Sequence, residues 1–145
     1  MDEQAPRAPD SGIFPKPLIL YIEDELDTRG AYSALLRKAG FRVAEASNGV
    51  QGVEAVFDLK PDLVLLDLSL PVVDGYEAMR RIKKSPRTAH IPVVVLSGRD
   101  LREEAAPFCD GYLAKPHDAA DLIRVVNGVL AARSAALPAP HRVAR

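Results

Sequence analysis

The chain predicts an α/β domain: a parallel sheet covered by helices on both faces. Three observations carry that prediction. Short apolar runs recur along the chain, and Leu18-Ile19-Leu20-Tyr21-Ile22, Leu63-Val64-Leu65-Leu66 and Ile91-Pro92-Val93-Val94-Val95-Leu96 are continuous rather than alternating. Such runs suit strands buried on both sides. Segments of helical period separate them, and repeated strand–helix alternation is the pattern of a parallel sheet. Finally, the runs end in polar groups: Glu23-Asp24-Glu25, Asp67 and Ser97. Ligands of open α/β sheets bind just outside the carboxyl ends of the strands.

Composition narrows the class. At 145 residues, with 48% hydrophobic residues and a net charge of −1, the chain suits one domain with a core of its own. That balance is neither the composition of a disordered chain nor the basic excess of a nucleic-acid binder. Cys109 is the sole cysteine, which excludes an intrachain disulfide and reads as a small buried hydrophobe. The N-terminus lacks a signal-peptide core, and no run is long enough to span or insert into a membrane. A soluble, cytoplasmic protein is expected.

Residues 1–16, with Pro6, Pro9, Gly12 and Pro15, read as a disordered leader, and 17–132 as the folded domain. The first strand, Leu18–Ile22, precedes a helix over Asp27–Ala39 whose apolar face holds Leu26, Leu35, Leu36 and Ala39, with Gly40 as its stop. Phe41–Ala46 is a short strand, Ser47-Asn48-Gly49 a turn, and Val50–Leu59 a helix with Val53, Val56 and Phe57 at helical spacing. Lys60-Pro61-Asp62 then breaks the chain before the central strand. Asp74 caps a helix through Lys84, with Met79 and Ile82 facing the core and Arg80, Arg81, Lys83 and Lys84 facing solvent or the C-terminal dipole. The strands Ile91–Leu96 and Gly111–Ala114 follow. A last helix over Asp118–Ala132 buries Leu122, Ile123, Val126, Val129 and Leu130. Residues 133–145 contain no acid and read as a flexible basic tail.

Right-handed crossovers bring all five strand ends to one edge of the molecule. That edge gathers Glu23, Asp24, Asp67, Ser97 and Lys115: three carboxylates, a hydroxyl and an ammonium. Each alone has an ordinary explanation, as a strand end, a helix cap or a surface lysine. Their joint appearance at successive strand ends is harder to dismiss. Crowded carboxylates repel, and a hard divalent cation that takes oxygen ligands relieves them. Mg²⁺ keeps some of its waters and suits a phosphoryl substrate. Asp67 could then act as a nucleophile that forms an aspartyl phosphate. The metal, Lys115 and the Ser97 hydroxyl would answer the charge of the phosphoryl oxygens.

These residues resemble a response-regulator receiver domain over about residues 17–132. Glu23-Asp24 matches the acidic pair, and Asp67 within Leu65-Leu66-Asp67-Leu68-Ser69-Leu70-Pro71 matches the phosphoacceptor. Asp74-Gly75 matches the following turn, Ser97 the Ser/Thr position, and Lys115-Pro116 the lysine–proline pair. The resemblance implies a flavodoxin-like, doubly wound five-stranded sheet of order 2-1-3-4-5, an order for which a chemotaxis receiver is one of the general examples. It implies Mg²⁺ held by Glu23, Asp24, Asp67 and the backbone carbonyl of Ser69, and a phosphoryl group taken from a histidine kinase or histidine phosphotransfer protein. Ser97, Tyr112 and Pro116 would form the switch, with a cis Lys115–Pro116 bond.

Two features depart from the family pattern. No output domain follows, so the signal is expected to pass to a downstream partner protein that the sequence does not identify. Between Ser97 and Lys115 the spacing is about one helical turn short, and Pro107 lies within it. A shortened or irregular fourth helix, capped by Asp100 and running through Leu101 to Ala106, is therefore expected. Three competing classes remain. An aspartate-nucleophile phosphatase would want a second acid where Ser69 stands. A flavodoxin-like cofactor binder would place phosphate against Glu23-Asp24-Glu25, which repel it without metal. An idle pseudo-receiver, or a phosphate shuttle or sink in a relay, would use the same fold.

Overall fold

The computed structural model describes residues 16–68, 75–97, 106–115 and 117–136. Along the chain run β1 (Leu18–Ile22), α1 (Leu26–Lys38), β2 (Arg42–Ala46), α2 (Gly49–Leu59), β3 (Leu63–Asp67), α3 (Gly75–Lys84), β4 (Val93–Ser97), β5 (Gly111–Ala114) and α4 (Ala119–Ala136). Among the described residues the strands form one sheet of order β2-β1-β3-β4-β5, parallel at every pairing. The expected order is the order found.

The continuous apolar runs have the expected cause. Alternate residues of a strand point to opposite faces, and here both faces are covered. Ile19, Tyr21, Leu63, Leu65, Val94 and Leu96 pack with Leu36 of α1 and with Leu122, Ile123, Val126 and Leu130 of α4. Leu20, Ile22, Val64, Leu66, Val93 and Val95 pack on the other side with Val56 of α2 and with Ala78, Met79 and Ile82 of α3. Each large aliphatic side chain so buried contributes roughly 1.5–3 kcal/mol, which makes the sheet the rigid part of the molecule.

Local polar contacts fix the ends. Asn48 caps α2 by accepting from the Gln51 amide at 2.8 Å, while Gln51 Oε1 accepts from the Ser47 amide and hydroxyl at 3.0 and 2.7 Å. This reciprocal arrangement is a capping box displaced by one residue. At the pole opposite the carboxyl ends, Asp62 Oδ2 accepts from the Leu18 amide at 2.8 Å. Asp110 Oδ2 accepts from the Val93 amide at 2.8 Å in the same way. Each aspartate pins the first residue of the neighbouring strand and so sets its register.

The structure corrects four sequence expectations. Leu26 is 68% exposed: it opens α1 beyond the last residue of β1, where the sheet no longer offers a surface. Lys83 is not a solvated helix-end cation. Its side chain is 13% exposed, and its ammonium donates to the carbonyls of Ala89 and Ile91 and to Asp110 at 3.2, 2.7 and 2.8 Å. The last helix continues past Ala132 to Ala136, because Arg133-Ser134-Ala135-Ala136 holds no helix breaker before Pro138. Lys16, assigned to the leader, is already docked, its carbonyl accepting from Arg42 Nε at 2.8 Å. Of the shortened fourth helix, Asp100 and Leu101 lie outside the described residues. Ala106–Phe108 form a single 3₁₀ turn around Pro107.

Gly75 opens α3 against the end of β3. A Cβ there would lie 2.6 Å from Leu68 Cα and 2.9 Å from the Asp67 carbonyl oxygen, both backbone atoms that cannot step aside cheaply. Gly75→Ala is expected to cost roughly 1–3 kcal/mol. Gly30, inside α1 with nothing within 4 Å of the added methyl, should gain roughly 0.5–1 kcal/mol as Gly30→Ala. Urea denaturation of the two variants checks the opposite signs.

Candidate functional site

The five strand-end residues converge as the topology requires. Asp67 is the last residue of β3 and only 3% exposed. The Lys115 ammonium, just past β5, donates to Asp67 Oδ2 at 2.8 Å. Its own backbone amide donates to the Ser97 carbonyl at 2.8 Å, which joins the ends of β4 and β5. Ser97 is buried at the end of β4.

β1 and β3 are neighbours, although β2 lies between them in sequence. The chain therefore reverses its winding direction there, and Glu23 and Asp24 come to face Asp67. Glu23 is buried and Asp24 exposed. One carboxylate oxygen from each of Glu23, Asp24 and Asp67 lies within 4.8 Å of the others.

Glu23 is firmly held. Its amide donates to the Ala46 carbonyl at 3.0 Å, and its own carbonyl accepts from Arg29 Nη1 at 2.8 Å. Oε1 accepts from the Tyr21 hydroxyl at 3.3 Å and Oε2 from the Glu25 amide at 3.2 Å. Burial, and then a hydrogen bond to Asp67 that only the protonated acid can make, push Glu23 up to about 7. Lys115 moves the other way from a typical buried lysine. Burial works against its charge, but the hydrogen bond to Asp67 and the negative charges of Asp67 and Glu23 outweigh it and hold the ammonium above its ordinary value. Burial, followed by the charge of Glu23, raises Tyr21 so far that it remains a neutral phenol.

This donor set fits a hard divalent cation. Three convergent carboxylates face one ammonium, and the nearby Arg29 is already spent on the Glu23 carbonyl and on Glu45 at 3.2 Å. Among the described residues that leaves negative charge unpaired at the site, and oxygen ligands in this number suit Mg²⁺.

Of the remaining sequence-predicted residues, Tyr112 lies in β5, half-buried against the core on the α2 and α3 side. Ser69, Asp74 and Pro116 lie outside the described residues, as does the Lys115–Pro116 bond. Sequence reasoning missed three aromatic residues beside the site. The Tyr21 ring stacks on Tyr32 of α1 at 5.7 Å between centroids and 11°. Tyr32 meets His117 edge-on, with its hydroxyl 3.0 Å from Nε2. The available signals were an aromatic residue inside an otherwise aliphatic first strand and a histidine two residues after Lys115. Only the register of α1 against the sheet joins them.

Comparison with known proteins agrees with this geometry. The family model for the response regulator receiver domain matches residues 19–127. Protein PilH of Pseudomonas aeruginosa is 33% identical over 117 residues, which cover 78% of this chain and 97% of PilH. The DNA-binding dual master transcriptional regulator RpaA of Synechocystis is 36% identical over 79% of this chain but only 49% of its own length. The chain thus spans about half the length of RpaA and nearly all of PilH. Among solved structures, the receiver domain of sensor histidine kinase PA1611 from Pseudomonas aeruginosa superposes with a TM-score of 0.74 at 30% identity, covering 80% of this chain and 98% of that one. That structure carries a magnesium ion in its active-site cleft.

The chain belongs to the response-regulator receiver family, a family of phosphorylation-dependent signalling modules. Among the described residues no helix is long and apolar enough to cross a membrane.

The raised Glu23 makes a pH prediction. Its folded value, about 7, lies above the ordinary glutamate value of 4.5, so between those values the folded state binds more protons than the unfolded one. Stability should therefore fall as pH rises through this window. Glu23→Gln removes the penalty and is expected to stabilise the metal-free protein at pH 8 by roughly 1–3 kcal/mol, with little gain at pH 4.5. Thermal melts in EDTA at the two pH values check it.

Proposed function

We propose that this chain is a phosphorylation-dependent switch in which Asp67 takes a phosphoryl group from a histidine kinase or histidine phosphotransfer protein in the cytoplasm, and which then acts through a partner protein. The observation that carries the reading is the buried Asp67 carboxylate held by Lys115 at 2.8 Å beside the Glu23–Asp24 pair. An idle pseudo-receiver has no reason to maintain a buried nucleophile, its ammonium partner and two further acids together.

The residues divide the chemistry between them. Lys115 fixes the orientation of the Asp67 carboxylate, one oxygen of which attacks phosphorus in line. The P–O bond forms as the P–N bond of the donor phosphohistidine breaks, and the imidazole leaves with the bonding electron pair. Glu23, Asp24 and Asp67, with the Ser69 carbonyl by family analogy, would hold Mg²⁺, which would supply neutralisation of the phosphoryl oxygens. Lys115 then follows the new charge onto a phosphoryl oxygen, and the Ser97 hydroxyl hydrogen-bonds to another. Tyr112 shares β5 with the strand end that carries Lys115, so the pull reaches the half-buried ring. Two populations of surface follow, and the partner selects one of them. Attack of water on phosphorus returns Asp67 and inorganic phosphate, which resets the switch.

Acetyl phosphate with Mg²⁺ should add one phosphoryl group, seen by intact-mass spectrometry and removed by hydroxylamine. Asp67→Asn is expected to abolish it, and a full mass shift in that variant would show that another residue is the nucleophile. Mg²⁺ affinity should drop at least roughly tenfold in Asp24→Asn, the loss of one charge-assisted ligand. An unchanged titration would remove Asp24 from the metal site.

A further inference from the structure

We propose that Tyr32 and His117 form a strap that positions Lys115 on Asp67, an inference that rests on the receiver reading above. Lys115 is a flexible side chain with four rotatable bonds, 32% exposed. It flanks an open cleft of about 520 Å³ whose other walls are Asp27, Thr28, Ala31, Tyr32 and His117. The exposed Asp27 carboxylate is a rival acceptor within that cleft. A lysine free to turn away from Asp67 would leave the nucleophile unoriented.

The strap holds the chain just past Lys115. His117 is two residues further on, and its Nε2 lies 3.0 Å from the Tyr32 hydroxyl, with the rings edge-on at 5.6 Å and 72°. Tyr32 is itself anchored. Its ring stacks on Tyr21, which is fully buried in β1 and bonded to Glu23. One continuous aromatic path therefore runs from the acidic pair, across α1, to the segment that carries the lysine. Upstream, Lys115 is fixed by its amide on the Ser97 carbonyl. Downstream, among the described residues, the Tyr32–His117 contact is the tie. Tyr32 and His117 are thus positioning residues, and they act through Lys115.

The alternative is that the aromatic trio only packs α1 against the sheet. Lysine reactivity separates the two without any need for phosphorylation. Reductive methylation at low conversion, read by peptide mass spectrometry, should label Lys115 about 3- to 10-fold faster in Tyr32→Phe and His117→Ala than in the unmodified chain, the ratio expected for one lost hydrogen bond. The exposed Lys38 serves as the internal reference. His117→Gln, which can still pair with the Tyr32 hydroxyl, should restore Lys115 protection. Phosphorylation by acetyl phosphate should slow by a similar factor in Tyr32→Phe, but Tyr32→Phe should add nothing in a Lys115→Ala background. Unchanged Lys115 labelling in both strap variants, or equal slowing with and without Lys115, would overturn the strap. A wild-type chain that never takes a phosphoryl group would instead overturn the receiver reading, and the labelling ratio would still decide the strap.

Discussion

Three carboxylates forced together at the junction of β1 and β3 are the constraint on which the molecule is built. At separations within 4.8 Å and an effective dielectric near 20, each ionised pair repels by on the order of 3 kcal/mol. No local preference of the chain favours that arrangement. It persists because both faces of the sheet are buried and the strands cannot shift. A register slip of one residue would turn every apolar side chain to the wrong face. The core thus supplies the rigidity against which the charge is crowded, and the crowding is what suits the three carboxylates to a divalent cation.

Lys115 answers only part of that charge. A single ammonium pairs with Asp67, while Glu23 is left to rise toward neutrality. In the proposed switch, a phosphoryl group on Asp67 would put a dianionic group in place of the carboxylate and increase the demand on the neighbouring cations. The response has an evident route. The Lys115 amide is bonded to the Ser97 carbonyl, and β4 and β5 are paired up to Ser97 and Ala114. A pull on either residue is felt by the other through a backbone contact, without any need for a long pathway.

The fold was legible in the sequence to the degree that burial controls it. Continuous runs such as Leu63-Val64-Leu65-Leu66 announce strands covered on both faces, and Asp67, Ser97 and Lys115 at their ends announce the site. What escaped depends on how elements pack in three dimensions. Leu26 fits the apolar period of α1, yet it overhangs the sheet. Lys83 reads as one more basic residue at a helix end, yet three acceptors from the starts of β4 and β5 cage it. Asp62 and Asp110 look like ordinary turn residues, and only the parallel pairing turns them into register pins. Tyr21, Tyr32 and His117 are far apart in sequence, so no periodicity could link them.

A gradient of rigidity across the site follows from where each group leaves its strand. Asp67 and Ser97 are final strand residues, their backbones still held by neighbours on the sheet and their side chains buried. Glu23 is one step beyond β1, but its amide still bonds Ala46 and its carbonyl Arg29, so it behaves as an extension of the strand. Asp24 and Lys115 stand further into solvent. In the proposed transfer Asp67 would have to stay fixed relative to an incoming phosphorus atom, and the sheet holds it. The groups that must admit a cation, release a product or follow a new charge need freedom, and they sit where the sheet stops constraining them. The proposed mechanism asks both of Lys115, to orient Asp67 before transfer and to follow the phosphoryl group after it. It therefore needs a tie that is neither as stiff as a strand nor as loose as a bare loop, and a single hydrogen bond between His117 and an anchored tyrosine has that intermediate strength.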